Sequence, residues 1–538
     1  MSGAVQSTQM VKVAQTMQAI QAQARPRRLA LLAVVIALLA LCVFFHLYRL
    51  SATPGWDPQE GYNLDIAWNL AHGRLRLFAL TSAFGQHPPL FYLLLALSIH
   101  LFGYGIVAVR ALAALYAILT CVALLLIGWR LVGAGAALWA AAAYIVSPVL
   151  LANTRWGYSY AQLGFVGLLC LGAAWRYWQS GERRWLVIAA ALAGLATFSD
   201  YEGIAWVAFV VLVALWPPRG RWRDAGLAAG VGLGIPALGL LICLMLAPGV
   251  FLADVGTTLG RAAGGDPLVQ FVTLLLNYEQ FLTLDAWLLL GVAGLFLAPA
   301  RVRGFLFGAV ALLALIILKV RDLGLSLHTA VPLLPLLALG AGIALDLALR
   351  RLYGWSVTWL GNIAGRRTII ARLLAAIIVF LVVVSPLAMA TASDAVALGS
   401  TLTTRQDAIL GTPADAQATA NYIFAHTRDG DLVLASPELA WRFDMPDRAP
   451  HTEGADILQT LAQSGQSAAF YPANLPAARW SYDVSLSHAR YVVVDNLLRQ
   501  LSAPDQLPAL QSLLHQVEQW PVVFTSGQYT VYERPGAT

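Results

Sequence analysis

One feature restricts this chain more than any other. Apolar runs recur along most of its length, each close to the roughly 20 residues that carry a helix across a bilayer. About eleven such spans can be read, at 29–50, 106–128, 135–151, 159–178, 185–199, 203–216, 226–247, 285–299, 304–319, 328–349 and 368–389. The chain is 59% hydrophobic and only 12% charged, about half the charge of an ordinary soluble domain. The fold class that follows is a polytopic α-helical membrane protein. Residues 88–103 form a further apolar segment, read here as an interfacial or re-entrant helix; a full span there would invert everything after it.

The arginines fall in alternate loops, and that fixes an expected orientation. Arg25, Arg27 and Arg28 precede the first span, which places the 1–24 tail in the cytoplasm. Carried forward, the inside loops hold Arg130; Arg176, Arg183 and Arg184; Arg219, Arg221 and Arg223; Arg301 and Arg303; and Arg350, Arg351, Arg366 and Arg367. The net charge of +6 therefore belongs to a cell membrane protein and not to a nucleic-acid binder. The first run is long enough to span and lacks a small-residue cleavage site, so no cleaved signal peptide is expected. Cys42, Cys121, Cys170 and Cys243 all lie inside apolar spans, which predicts neither a disulfide framework nor a zinc site.

Beyond about Val384 the composition turns polar. Residues 391–538 are expected to form an extracytoplasmic α/β domain after the 25–390 membrane domain. Helical periodicity covers Pro413 to His426 and Gln506 to Gln519. The runs 431–435 and 491–495 read as buried strands, and 522–524 and 529–532 as a hairpin about Ser526-Gly527. Asp495 and Asn496 follow a strand, where α/β folds often place ligand contacts, but no glycine-rich phosphate loop accompanies them.

Several polar groups stand where topology rules disfavour them. Asp57-Pro58-Gln59-Glu60 lies just beyond the first span, and carboxylates held at a span mouth are seldom incidental. Asp57 and Glu60 stand three residues apart and share a face if helical. Either one acts as a general base on an acceptor hydroxyl or amine, or the two are solvated carboxylates capping the next helix. That helix, 61–73, reads as interfacial, with Asp65 toward solvent. In His87-Pro88-Pro89 the prolines start a helix, while His87 is within reach of an acceptor or phosphate. Asp200 and Glu202 form a second external acidic cluster, either an acceptor clamp or the turn of a helical hairpin. The spacing of Asp57, Glu60 and His87 is not diagnostic of a metal site, and no cofactor is assigned beyond leaving a divalent metal open. Lys319 and Arg321 end a span on the outer side against the positive-inside bias. An anionic lipid phosphate would explain them, as would snorkelling to headgroups. Arg155, at an outer helix end, either caps that helix or joins the same phosphate.

The order of these elements resembles the GT-C fold glycosyltransferases, and within them the bacterial protein O-mannosyltransferase and aminoarabinose transferase group. The resemblance covers about residues 25–390 and is carried by an N-terminal span, an external acidic motif, an amphipathic helix ending in Gly73, and then His87-Pro88-Pro89-Leu90-Phe91-Tyr92 and Leu101-Phe102-Gly103. Arg110, opening the next span, also fits, and joins the donor-phosphate candidates. Two positions depart from the pattern: Gln59 precedes Glu60 where the family usually has Asp, and Ser159 stands where an Asp often follows the arginine matching Arg155. The resemblance implies transfer of a sugar, with inversion, from a polyprenyl-phosphate-linked donor to an extracytoplasmic lipid, glycan or protein acceptor. Asp57 or Glu60 would be the base, Lys319, Arg321, Arg155 and Arg110 would hold the donor phosphate, and Asp200, Glu202 and His87 would shape the acceptor side. The rival readings are a transporter or flippase, which should show paired repeats and charges near span midplanes, and a non-catalytic glycan sensor.

Overall fold

In hydrocarbon the backbone must bond to itself, so apolar runs of this length become helices. The computed structural model describes residues 29–72, 88–216, 220–246, 286–320, 331–364, 411–444, 449–466, 483–503 and 507–536, with a few further residues at 248, 251–252, 373–374, 377 and 388–392. The membrane domain begins with α1 (Leu29–Leu47). It continues through α2 (Pro58–Ala71), α3 (Pro89–Phe102), α4 (Ile106–Val132), α5 (Ala134–Ile145), α6 (Pro148–Arg155), α7 (Tyr160–Ser180), α8 (Arg183–Ser199), α9 (Ile204–Leu215) and α10 (Trp222–Leu246). After a gap in the description come α11 (Ala286–Leu297), α12 (Ala300–Val320) and α13 (Leu334–Ala364). The expected runs from 29–50 to 328–349 all fall on described helices; most of 368–389 and the whole 1–24 tail lie outside the described residues.

Five of the described helices are long and apolar enough to cross a membrane, at Leu29–Leu47, Ile106–Val132, Trp222–Leu246, Ala300–Ile317 and Val331–Thr358. Large apolar side chains such as Leu32, Ile36, Leu238, Leu241 and Met245 point outward, the arrangement of a multi-pass protein whose solvent is lipid. The expected 135–151 span is two helices: Ser147 accepts a bond from Leu150 N at 3.1 Å and Pro148 opens α6. Without a hydrophobic force between helices in lipid, small residues set the closest packing. A Cβ on Gly294 would lie 1.7 Å from the Gly340 carbonyl, so α11 and α13 touch backbone to backbone.

The C-terminal domain is an α/β unit. Helix Pro413–His426 leads into a five-stranded sheet of β1 (Leu432–Ala435), β2 (Glu453–Asp456), β3 (Ala489–Val494), β4 (Val522–Ser526) and β5 (Tyr529–Glu533). The order is β2-β1-β3-β5-β4. β1 pairs in parallel with β2 and β3, and β5 runs antiparallel to β3 and β4. The short helix Pro437–Ala440 follows β1 and packs on α2. One buried apolar cluster therefore runs from Trp56, Tyr62 and Leu64 through Phe91 and Val109 into Val433, Trp441, Tyr491 and Val531.

That packing corrects one expectation. The second helix starts at Pro58 and is not a half-wet interfacial element. Asp65, expected in solvent, is buried and accepts a bond from Asn69 Nδ2 at 3.0 Å, because the α/β domain covers the face that would have met water.

Orientation is testable with the native cysteines in place, since all four are buried. Cysteine placed at exposed Ser487 should react with an impermeant thiol reagent on intact cells. One placed at exposed Ser180 should react only after permeabilisation. Reaction of the Ser180 variant alone on intact cells would invert the topology.

Candidate active site

Asp57 and Glu60 form the cap that the spacing allowed. Asp57 is the N-cap of α2, its Oδ1 accepting from Gln59 N at 2.8 Å, and Glu60 reaches back to Asp57 N at 3.2 Å, a full capping box. Their environments then diverge. Glu60 is fully buried and faces Arg110, also fully buried. Arg110 Nε donates to Glu60 Oε1 and Nη2 to Oε2, both at 2.7 Å. Gly157 N adds a bond to Oε1 at 3.1 Å. Each Glu60 oxygen thus accepts two hydrogen bonds, which fills the roughly four lone-pair sites of a carboxylate and leaves none to take a proton.

Arg110 is equally committed. Its remaining N–H bonds go to the carbonyls of Leu50, Pro54 and Gly55 at 2.8–2.9 Å, so all five guanidinium donors are used inside the protein. Arg155 is also buried and donates to the carbonyls of Thr53, Tyr48 and Phe45. Phe45 and Tyr48 stand at the end of α1, where helix carbonyls lack intrahelical partners. In this geometry both arginines bond the 45–60 segment, and Glu60 is held between Arg110 and two backbone amides.

Asp57 is different: it remains partly exposed. Desolvation raises its pKa to about 6, the Tyr158 hydroxyl that hydrogen-bonds it works the other way, and the Glu60 charge raises it again. A carboxylate of that pKa is ionised at neutral pH yet more basic than an ordinary aspartate near 4.

The turn between α6 and α7 joins the two acidic clusters. Gly157 bonds Glu60, Tyr158 bonds Asp57, and Ser159 Oγ donates to Asp200 Oδ2 at 2.9 Å. Glycine is required at 157 because a Cβ there would lie 2.0 Å from Val109 on α4. Asp200 is buried and caps the turn Tyr201–Gly203, accepting from Glu202 N at 3.1 Å; Glu202 is buried beside it. Tyr92 of α3 lies within electrostatic reach of Asp200, Tyr160 and Tyr201. The structure therefore brings Asp57, Glu60, Arg110, Arg155, Asp200 and Glu202 to one face of the membrane domain. Tyr158 and Ser159 were missed as linkers, although the polar and aromatic stretch 153–160 between two apolar helices marks them.

Helix α12 runs antiparallel to α9, with Gly304 level with Trp216 and Gly308 level with Phe209, and it packs on the Tyr201–Gly203 turn. Its last turn, which carries Lys319, is thus on the same face as Asp200. The Lys319 side chain, Arg321 and His87 lie outside what is described. With Glu60 occupied by Arg110, the Asp57–Glu60 pair does not fit a metal ion. Among the described residues no group of three or more His, Cys, Asp or Glu is placed to hold one.

A family model described as dolichyl-phosphate-mannose-protein mannosyltransferase matches residues 86–248. No curated protein matches the chain in sequence. Solved structures do match in fold. ArnT from Cupriavidus metallidurans, bound to undecaprenyl phosphate, aligns at TM-score 0.58 and 14% identity over 94% of this chain and 98% of that one. The oligosaccharyltransferase AglB from Archaeoglobus fulgidus, in complex with an inhibitory peptide and a dolichol-phosphate, aligns at TM-score 0.56 and 12% identity over 90% of this chain and 72% of that one.

Removing one partner of a buried ion pair leaves an uncompensated charge and costs about 3–5 kcal/mol. Arg110→Ala should therefore lower thermal stability in detergent markedly. Arg110→Lys should restore little, because an ammonium cannot supply the planar fork of five donors. An unchanged Tm for Arg110→Ala would refute the structural assignment.

Proposed function

Because the chain has the GT-C fold of membrane glycosyltransferases, we propose that it transfers a sugar from a polyprenyl-phosphate-linked donor to an acceptor at the extracytoplasmic face. The observation that carries the mechanism is the division of labour between two carboxylates three residues apart. Glu60 has no lone pair free, whereas Asp57 is partly exposed, basic for an aspartate, and held in place by its cap and by Tyr158.

In the reaction, Asp57 takes the proton of an acceptor hydroxyl or amine. The acceptor oxygen or nitrogen forms a bond to the anomeric carbon from the side opposite the leaving group. The bond between that carbon and the phosphate oxygen breaks with its electron pair, inverting the configuration and releasing the polyprenyl phosphate. A group leaving as a phosphate needs positive charge where its own negative charge grows. Lys319 and Arg321 supply it: the helix that carries Lys319 packs on the Tyr201–Gly203 turn, and the arginines at 110 and 155 are spent on Glu60 and on backbone carbonyls. Asp200 and Glu202, with His87, line the acceptor side. The family match at 86–248, ArnT's undecaprenyl phosphate and AglB's dolichol-phosphate support a lipid-phosphate donor.

A flippase is disfavoured by the placement of charge. The buried Glu60, Arg110, Arg155, Asp200 and Glu202 sit at helix ends, not at span midplanes where transporters bind cargo.

Asp57→Asn should lower turnover by about 10²–10⁴-fold, the usual range for a general base, with donor binding retained. Because the base works ionised and its pKa is raised, the rate of the native enzyme should fall as pH drops through about 6, well above the ordinary aspartate range. Full turnover in Asp57→Asn would remove it from the mechanism. A charged hydrogen bond contributes about 1.5–3 kcal/mol, so Lys319→Ala and Arg321→Ala should each weaken donor binding by roughly tenfold or more. Unchanged donor affinity in the folded double variant would favour simple snorkelling.

A further inference from the structure

We propose that the C-terminal α/β domain is part of the catalytic apparatus, and that its Trp441 is a positioning residue for Asp57, acting through Trp56. The proposal rests on Asp57 being the base.

Parallel α/β sheets usually take ligands at the carboxyl ends of their strands, where neighbouring strands send their connections in opposite directions. In this sheet that point lies between β1 and β3. The position is closed by the domain's own side chains. Ser436, after β1, donates to the Asp495 carboxylate after β3, and both are buried. Asp495 also caps the helix Asn496–Leu501. The carboxyl ends of β1 and β2 face α2 of the membrane domain instead of a small ligand.

The contacts made there converge on the first turn of α2. The Trp441 ring stands 5.5 Å from the Trp56 ring and, edge-on, 5.9 Å from Tyr104. Its indole N–H donates to the Glu438 carbonyl at 2.9 Å, which fixes the ring. The Arg442 guanidinium lies 5.2 Å from the Trp441 ring centre and 5.6 Å from that of Trp56, a separation at which cation–π attraction holds. Tyr62, one turn further along, donates to Asp456 Oδ2 at 3.1 Å at the end of β2. Trp56 is the residue before Asp57, so whatever fixes its ring fixes the N-cap.

The same segment controls charge beside the base. Glu438 is fully buried; one oxygen accepts from Tyr529 and from Gly411 N, and the other has no hydrogen-bond partner among the described residues. Burial, with Asp495 and Asp57 adding to it, raises its pKa well above the usual glutamate value. The domain therefore places this carboxyl within electrostatic reach of Asp57. The other groups facing Asp57 are Glu60 of α2, Arg110 of α4 and the Tyr158 hydroxyl of the α6–α7 turn.

A base displaced by an ångström can lose about 10²-fold in rate. Trp441→Ala in the full-length enzyme should therefore lower kcat by roughly 10–100-fold while the KM for the lipid-linked sugar stays within about twofold. Loss of the ring also admits water to Asp57, so the acid limb of the pH–rate profile should move from about 6 toward about 4. Trp441→Phe, which keeps an aromatic face, should recover most of the rate and the original limb. A folded Trp441→Ala enzyme with unchanged kcat and acid limb overturns the proposal and leaves the domain a passive cover. If that variant does not fold, Arg442→Ala keeps both rings but removes the cation that lies against them and should lower kcat in the same direction; an unchanged kcat there overturns the proposal equally. Full activity in Asp57→Asn would instead defeat the base assignment itself, which separates the two failures.

Discussion

The face of this protein that carries the candidate site depends on one buried ion pair. Arg110 and Glu60 are both sealed from solvent and bond each other through two parallel contacts of 2.7 Å. Charges taken out of water are tolerated only when every donor and acceptor is satisfied, and here the carbonyls of Leu50, Pro54 and Gly55 and the amides of Asp57 and Gly157 complete the set. The pair therefore does more than join α2 to α4. It gathers the loop that leaves the first span, the cap of α2 and the α6–α7 turn about one point. Asp57 hangs from that assembly and is the carboxylate proposed as the base.

A second constraint comes from the lipid. Long apolar helices supply surface for the bilayer but cannot place a reacting group without polar anchors, so the anchors collect at the helix ends. Arg155 satisfies carbonyls at the end of α1, Ser159 binds Asp200, and the Tyr201–Gly203 turn receives α12. Gly203 permits this by close approach, since a Cβ there would lie 2.2 Å from the Ala196 backbone. The α/β domain closes over α2, and so a helix that begins as a loop element ends up buried on almost every face.

Much of this architecture was legible in the sequence, and the parts that were not have physical reasons. Apolar runs report helix placement directly, and they located most of the helices between Leu29 and Leu349. The capping role of Asp57 and Glu60 follows from their spacing. The partner of Glu60 did not, because Arg110 lies fifty residues away and a charge pattern carries no distance information. Arg110 and Arg155 looked like phosphate ligands since both stand at a helix end expected outside; only three dimensions show their donors spent on the Glu60 carboxylate and on backbone carbonyls. β2 was unreadable because Glu453-Gly454-Ala455-Asp456 has no apolar run and becomes a strand by pairing with β1. Asp65 was assigned to solvent because a local pattern cannot show a distant domain packing over it.

The account's central claim is a chemical one: this membrane protein breaks the bond between a sugar and a lipid phosphate in favour of an acceptor. The most direct measurement is the release of polyprenyl phosphate from a polyprenyl-phosphate-linked sugar by the purified full-length protein in nanodiscs, with and without a membrane extract as the source of acceptor. Acceptor-dependent release of the lipid phosphate, matched by sugar appearing on the acceptor, is the predicted result. Lipid-linked sugar that is bound, or moved between leaflets, but never cleaved under any acceptor condition would contradict the account.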